Sequence, residues 1–127
     1  MRKLVLICAF FALCGCASIM EIIPSGWDAN QAKSITDIQI TARNLDCQAD
    51  LNPQVIKLAK DIEWFNLYAK TKPTRDIAKL TGTITTTVTE LQDRVAKGAV
   101  SALYCDLKKK IIQQQADILA KSVQGRF

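Results

Sequence analysis

The chain has 127 residues, 17 Lys and Arg against 12 Asp and Glu, five Cys and no His. That length holds one small domain. Without His it lacks the commonest general base and any His-liganded metal site, and it carries no Gly-rich phosphate loop and no Ser nucleophile elbow. The carboxylates are scattered among Lys on helix exteriors, the pattern of a salt-bridged surface. The expectation is a protein that is not an enzyme, with no cofactor, no metal and no small-molecule substrate.

The start of the chain carries the strongest signal. Arg2 and Lys3 precede the apolar run Leu4 to Leu13, "LVLICAFFAL", and small residues follow. A positive n-region, a short apolar h-region and a small-residue processing site make a secretory signal peptide. Leu13-Cys14-Gly15-Cys16 resembles the bacterial lipobox, with Cys14 standing where Ala or Ser is commoner. The resemblance implies removal of residues 1–15, acylation of Cys16 on its thiol and amine, and a tether over residues 16–27. Ala17 is not the Asp that retains such proteins in the inner membrane, so the resemblance also implies an outer-membrane location. Several acyl chains anchor firmly where one binds marginally. Two other readings compete. A Cys-x-Cys metal pair would need further ligands, and there is no His. An uncleaved helix over Leu4 to Ile23, with Glu21 its only charge, is long enough to span a bilayer, but it would contain the lipobox.

Residues 16–127 retain 15 Lys and Arg against 12 Asp and Glu. The whole excess lies after residue 104, where Lys108, Lys109, Lys110, Lys121 and Arg126 face Asp106 and Asp117. Nucleic acid is a poor partner for an exported chain, and such a Lys run reads as a solvated helix face. Contact with anionic lipid or a partner's acidic patch stays open. Two cysteines remain, Cys47 and Cys105. In an oxidising compartment they read as one disulfide.

Helix signals follow in order over the domain expected at 28–127. Asp28 caps a first helix, with Gln31 at capping-box spacing, Trp27 placed to staple onto Ala32, and the stripe Ile35, Ile38, Ala42, Leu45 running to about residue 47. Asn52, with Pro53 at the first helical position, opens a second helix whose core stripe is Val55, Leu58, Ala59, Ile62, Phe65 and Ala69. On that helix Ile56, Trp64 and Leu67 project away from the stripe. Trp is favoured as an interface anchor, so these three are the candidate partner-binding residues; the competing reading is that neighbouring helices cover this back face. Thr74 after Pro73 caps a third helix with the stripe Ile77, Leu80, Ile84, Val88, Leu91, Val95, ended by Gly98. It passes through "TGTITTTVT", whose residues prefer strands, but the stripe keeps its phase, so the spacing predicts helix. A fourth helix starts near Val100 or Ser101 and runs to about Gln124. It carries two stripes, Val100, Leu103, Leu107, Ile111, Ile118 and Cys105, Ile112, Ala116, Leu119, Val123, which predicts a central helix or a groove lined by part of the second stripe.

Four helices with short connections give an all-α, up-down four-helix bundle. Cys47, closing the first helix, and Cys105, opening the fourth, then meet at one pole, and the tether leaves from the other. A lipidated N-terminus, a helical domain of this size, and "ARNLDC" and "SALYCDLKKKI" in these places are similar in layout to the pilotins of type II secretion. Pilotins are small outer-membrane lipoproteins that hold a short secretin helix in a groove. "WDANQ" and "YCDLKKKIIQQQ" also resemble small lipoproteins of marine tailed phages. The expectation is a lipid-anchored periplasmic module that binds an envelope protein, as escort or modifier. The alternative is an outer-membrane spanin-type lysis subunit, which calls for an extended coiled coil or a Pro-rich rod rather than four capped segments.

Overall fold

The computed structural model describes residues 26–72 and 76–125. Residues 1–15, Cys16, the tether up to residue 25 and the Pro73–Thr74 helix start lie outside them. All regular structure among the described residues is helical: α1 (Ala29–Arg43), α2 (Leu51–Lys70), a short α3 (Asp76–Leu80), α4 (Gly82–Ala96) and α5 (Ala102–Gln124).

The helix starts follow local chemistry. Asp28, in extended conformation, accepts from the Gln31 N–H at 2.9 Å. The reciprocal half of the capping box does not form, because the Gln31 side chain is buried, and among the described residues its Nε2 meets no acceptor. Trp27 stays mostly exposed. Ser101 caps α5 by accepting from the Tyr104 N–H at 3.3 Å.

Two boundaries differ from expectation. α1 ends at Arg43, with the Asn44 N–H donating to the Ile40 carbonyl, so Cys47 sits in the loop beyond the helix. α2 begins sooner than Asn52 implies: Asp50 is the cap, accepting from the Asn52 N–H at 3.0 Å, and Leu51, Asn52 and Pro53 all lie in the first turn. Pro53 is tolerated there because first-turn N–H groups have no intrahelical partner. Gln54 fixes the connection. Its side chain accepts from the Asp46 N–H at 2.8 Å and donates to the carbonyls of Asp46 and Asp50.

The Thr-rich segment is helical, as its periodicity predicts. Thr85, Thr86 and Thr87 donate to the carbonyls four residues back at 2.8, 3.0 and 3.1 Å. Hydroxyls that compete with the backbone elsewhere are thereby absorbed. The expected single third helix is nevertheless interrupted at Thr81. The Thr81 hydroxyl turns back on the Ala78 carbonyl and also meets Asn66 Oδ1 of α2, while Asn66 Nδ2 donates to Thr85 Oγ1 at 3.1 Å. In consequence Thr81 is buried and Leu80, expected in the core stripe, faces outward.

The four long helices pack in a ring, α1 on α2, α2 on α4, α4 on α5 and α5 on α1, with no close backbone approach across the diagonals among the described residues; α3 leans on α2, α4 and α5. Neighbours run antiparallel: Asp28 of α1's cap meets Lys72 beyond the end of α2, while Thr41 meets Lys57 and Asp61. The core joins Ile35, Ile38 and Ala42 of α1, Leu58, Ile62 and Phe65 of α2, Ile84, Val88 and Leu91 of α4, and Ile112, Ala116 and Leu119 of α5. Each large apolar side chain so buried contributes roughly 1.5–3 kcal/mol. α5 is one wall of the ring rather than its centre. Its second stripe is wholly buried in the core, whereas Leu103, Leu107 and Ile118 of the first stripe are exposed.

Cys47 and Cys105 form a disulfide, with Cα atoms 5.8 Å apart, tying the α1–α2 loop to the first turns of α5. Gly26, where the described chain begins, lies at the opposite pole, beside the end of α2. Among the described residues no helix is long and apolar enough to cross a membrane.

Candidate functional site

α2 is the helix whose outward side carries the candidate residues, and its neighbours decide where each one points. α1 flanks it on one side and α4 on the other. Trp64 is 51% exposed and stands at the edge of an open groove between α1 and α2, beside Asn30, Lys33, Ser34, Asp37 and Asp61. Leu67, 59% exposed, borders a different hollow between α2 and α4, with Ile62, Asn66 and Val88 on its floor and sides. Ile56 is half-buried. At 3.6 residues per turn it shares Leu67's azimuth to within about 20° and lies about 80° from Trp64. The structure therefore does not bring the three together as one patch. α2 is a ridge, with Trp64 on the α1 slope and Leu67 and Ile56 on the α4 slope.

Trp64 is held in place. Its ring stacks on Tyr68, one turn on, with centroids 5.2 Å apart and planes 6° from parallel. The Lys72 ammonium lies 4.6 Å from the centre of the Tyr68 ring and donates to its hydroxyl at 3.1 Å. The Tyr68 hydroxyl in turn reaches Asp28 at 3.3 Å and accepts from Asn30 Nδ2 at 3.1 Å. Asp28 binds Lys72 through Oδ2, while Oδ1 takes the Gln31 N–H and the Tyr68 hydroxyl lies equally near both oxygens. One carboxylate thus caps α1 and clasps α2. Its bond from Lys72, helped by the Gln31 N–H, holds the Asp28 carboxyl below the ordinary carboxylate range against the opposing effect of partial burial. Asp28 and the Tyr68 hydroxyl together push Lys72 up.

Below Trp64 the groove continues toward Ile40, Thr41, Asn44 and Gln54. Its charges neutralise one another locally. Lys33 pairs with Asp37 at 2.6 Å, and Lys57 with Asp61 at 2.7 Å, while Thr41 donates to Asp61 at 3.0 Å. The result is a long, polar, charge-balanced trough with a fixed aromatic ring at one end and the exposed Ile40 along it. Such a surface can take up an extended or helical segment. Among the described residues no three His, Cys, Asp or Glu side chains converge in a way that could hold a metal ion.

The sequence reading picked out Trp64 but missed Tyr68, Lys72 and the second role of Asp28. A signal existed: Trp64 and Tyr68 are four apart on one helix edge, and Lys72 follows at the same spacing just past the helix end. The link to Asp28, 40 residues from Tyr68, has no local signature. No protein-family model, curated protein or solved structure matches the chain.

Proposed function

We propose that the chain is an outer-membrane lipoprotein, anchored through Cys16, whose helical domain binds a segment of another envelope protein along the α1–α2 groove. The reading of residues 13–16 as a lipobox supplies the anchor. The observation that carries the binding role is Trp64, a large ring left half in water yet fixed by its stack on Tyr68. A pre-ordered aromatic offers contact area at low entropic cost, and Trp dominates the energetics of many interfaces. The occupant is of the kind a pilotin-like escort takes, a short protein segment. A compact bundle closed by a disulfide supports this reading over the rod that a spanin-type subunit calls for.

Both halves are testable in cells. A palmitate analogue is expected to label the wild type and to miss Cys16→Ser; label retained in that variant removes the lipoprotein reading. Site-directed crosslinking along the groove is expected to capture a discrete envelope protein, and Trp64→Ala is expected to lower capture about thirtyfold, the equivalent of about 2 kcal/mol for an interface anchor. Leu67→Ala, on the other slope, is expected to leave capture intact. Loss with Leu67→Ala but not with Trp64→Ala moves the site to the α2–α4 hollow and overturns the assignment to this groove.

A further inference from the structure

We propose that the Cys47–Cys105 disulfide exchanges from one side only: a small uncharged thiol enters the hollow beside Cys47, attacks that sulfur and expels Cys105, so that Cys47 is an S-thiolation site. The proposal depends neither on the Cys16 anchor nor on the α1–α2 groove.

The two halves of the bridge differ in access. Cys105 belongs to the core, 1% exposed, on a turn of α5 closed by the bond from its own N–H to the Ser101 carbonyl at 3.0 Å. Cys47 is half-buried and stands on the wall of an open hollow of about 420 Å³, between the start of α2 and the α4–α5 connection. Leu51, Val95, Ala96 and Val100 contribute apolar side chains to the lining, and Asp50 is the only charged residue on it. A carboxylate there favours an uncharged thiol over an anionic one. The loop that carries Cys47 is fixed on both sides of it. The Asp46 N–H donates to Gln54 Oε1 at 2.8 Å, the Gln48 N–H to Asp46 Oδ1 at 2.9 Å and the Ala49 N–H to the Asp46 carbonyl at 3.3 Å. Opening the bridge is therefore a local event that leaves Cys47 beside the hollow.

The charges around the bridge select the same direction. Attack at Cys47 puts the released electron pair on Cys105 Sγ. Cys105 lies in the first turns of α5, where the helix dipole favours negative charge. Lys109, one turn further on, sends its ammonium across to the Leu45 carbonyl at 2.6 Å, so a cation joins the same two segments as the sulfurs do. Burial of Cys105 works against the charge, and the helix start and Lys109 work for it. Asp46 and Asp106, next to the two cysteines in sequence, are exposed and act through water. Attack at Cys105 requires the thiol to enter the core.

The step is a thiol–disulfide exchange. The incoming thiolate bonds to Cys47 Sγ as the Cys47–Cys105 bond breaks, and Cys105 Sγ leaves with the electron pair and takes a proton from solvent. One S–S bond replaces another, with no net reduction. A second thiol then attacks the adduct, frees the Cys47 thiol and carries both external sulfurs away as their own disulfide. The two added thiols are oxidised and the bridge is reduced.

The full chain is pulsed with 2-mercaptoethanol in native buffer, quenched with excess N-ethylmaleimide in urea, and mapped at both cysteines. Mercaptoethanol on Cys47 with maleimide on Cys105 is expected to exceed the reverse arrangement about tenfold or more. The exchange rate is expected to stay level through urea concentrations below the unfolding transition, as local attack requires. Mercaptoacetate, an anionic thiol, compared at equal thiolate concentration, is expected to react about threefold more slowly, and Asp50→Asn, which keeps a competent cap, to close that gap. Adducts spread evenly over the two sulfurs, or found first on Cys105, overturn the proposal. So does exchange that proceeds only as fast as the whole domain unfolds, because the bridge is then a sealed staple. A gap that Asp50→Asn leaves unchanged means that the thiol does not enter through the hollow, and the proposal falls.

Discussion

Trp64 and Asp28 show how much one side chain can be asked to do. Truncating Trp64 removes a stacked ring from a half-wet surface and leaves no hole in the core. Trp64→Ala is therefore expected to cost about 0.5–1.5 kcal/mol, the value of an aromatic pair, rather than the ~3–5 kcal/mol of a buried Trp. Thermal unfolding of the chain lacking residues 1–16 measures it, and a loss in the larger range means the ring is a core residue. Asp28 supports a pH prediction. Its folded-state carboxyl is lowered by Lys72, so the stability it contributes is fully present above the ordinary carboxylate range and is lost as pH falls through the lowered value. Asp28→Asn keeps a competent cap but loses the charge. The variant is expected to be less stable than the wild type at pH 7, and the gap is expected to close in acid. A gap that stays constant with pH means that the bond to Lys72 contributes nothing.

At the scale of elements, what was legible in the sequence depended on the distance to the deciding partner. The caps at Asp28 and Ser101 act over three residues and could be read directly. The start of α2 was displaced because Asp50 and Asn52 are both competent caps, and Gln54, by bonding the Asp46 and Asp50 carbonyls, favours the former. The break at Thr81 was invisible because Leu80 and Thr81 both keep phase with Ile77 and Ile84. Asn66, on a different helix, selects between them. Two glycines, Gly82 opening α4 and Gly98 beyond its end, make opposite predictions. A Cβ at Gly82 would meet nothing within 4 Å, and its backbone is ordinary, so Gly82→Ala is expected to stabilise by about 0.4–1 kcal/mol. Gly98, just past the end of α4, has φ 139°. Gly98→Ala is expected to destabilise by about 1 kcal/mol or more, although the space is equally open. Chemical denaturation of the two variants, with unchanged slope, gives both signs.

For the whole molecule, the four long helices, the antiparallel ring and the Cys pairing followed from capped segments, short connections and the two thiols that the signal-peptide reading leaves over. The surface did not follow. Whether Trp64 and Leu67 share a face depends on where α1 and α4 press against α2, and helical periodicity alone cannot supply that angle. The double stripe of α5 failed for a related reason: apolar residues need not be covered, and Leu103 is 82% exposed. The disulfide closes a separation of 58 residues, for which the chain-entropy account gives about 4 kcal/mol. Cys47→Ala with Cys105→Ala is expected to lose roughly that much while remaining helical by circular dichroism. Non-reducing peptide mapping of exported protein is expected to recover Cys47 and Cys105 in one linked fragment.

The position of that bridge also governs how the domain bears load. α1 lies before Cys47 and nearly all of α5 after Cys105, so α2, α3 and α4 sit on a closed covalent loop. Tension applied between the start of α1 and the end of α5 runs down α1, across the two sulfurs and back along α5. The ridge that carries Trp64, Tyr68 and Leu67 hangs beside that path and is never stretched. A pull strong enough to peel α1 from α5 leaves the looped helices linked as one covalent body. Reduction puts all five helices in series, and the same pull can then draw out the whole chain.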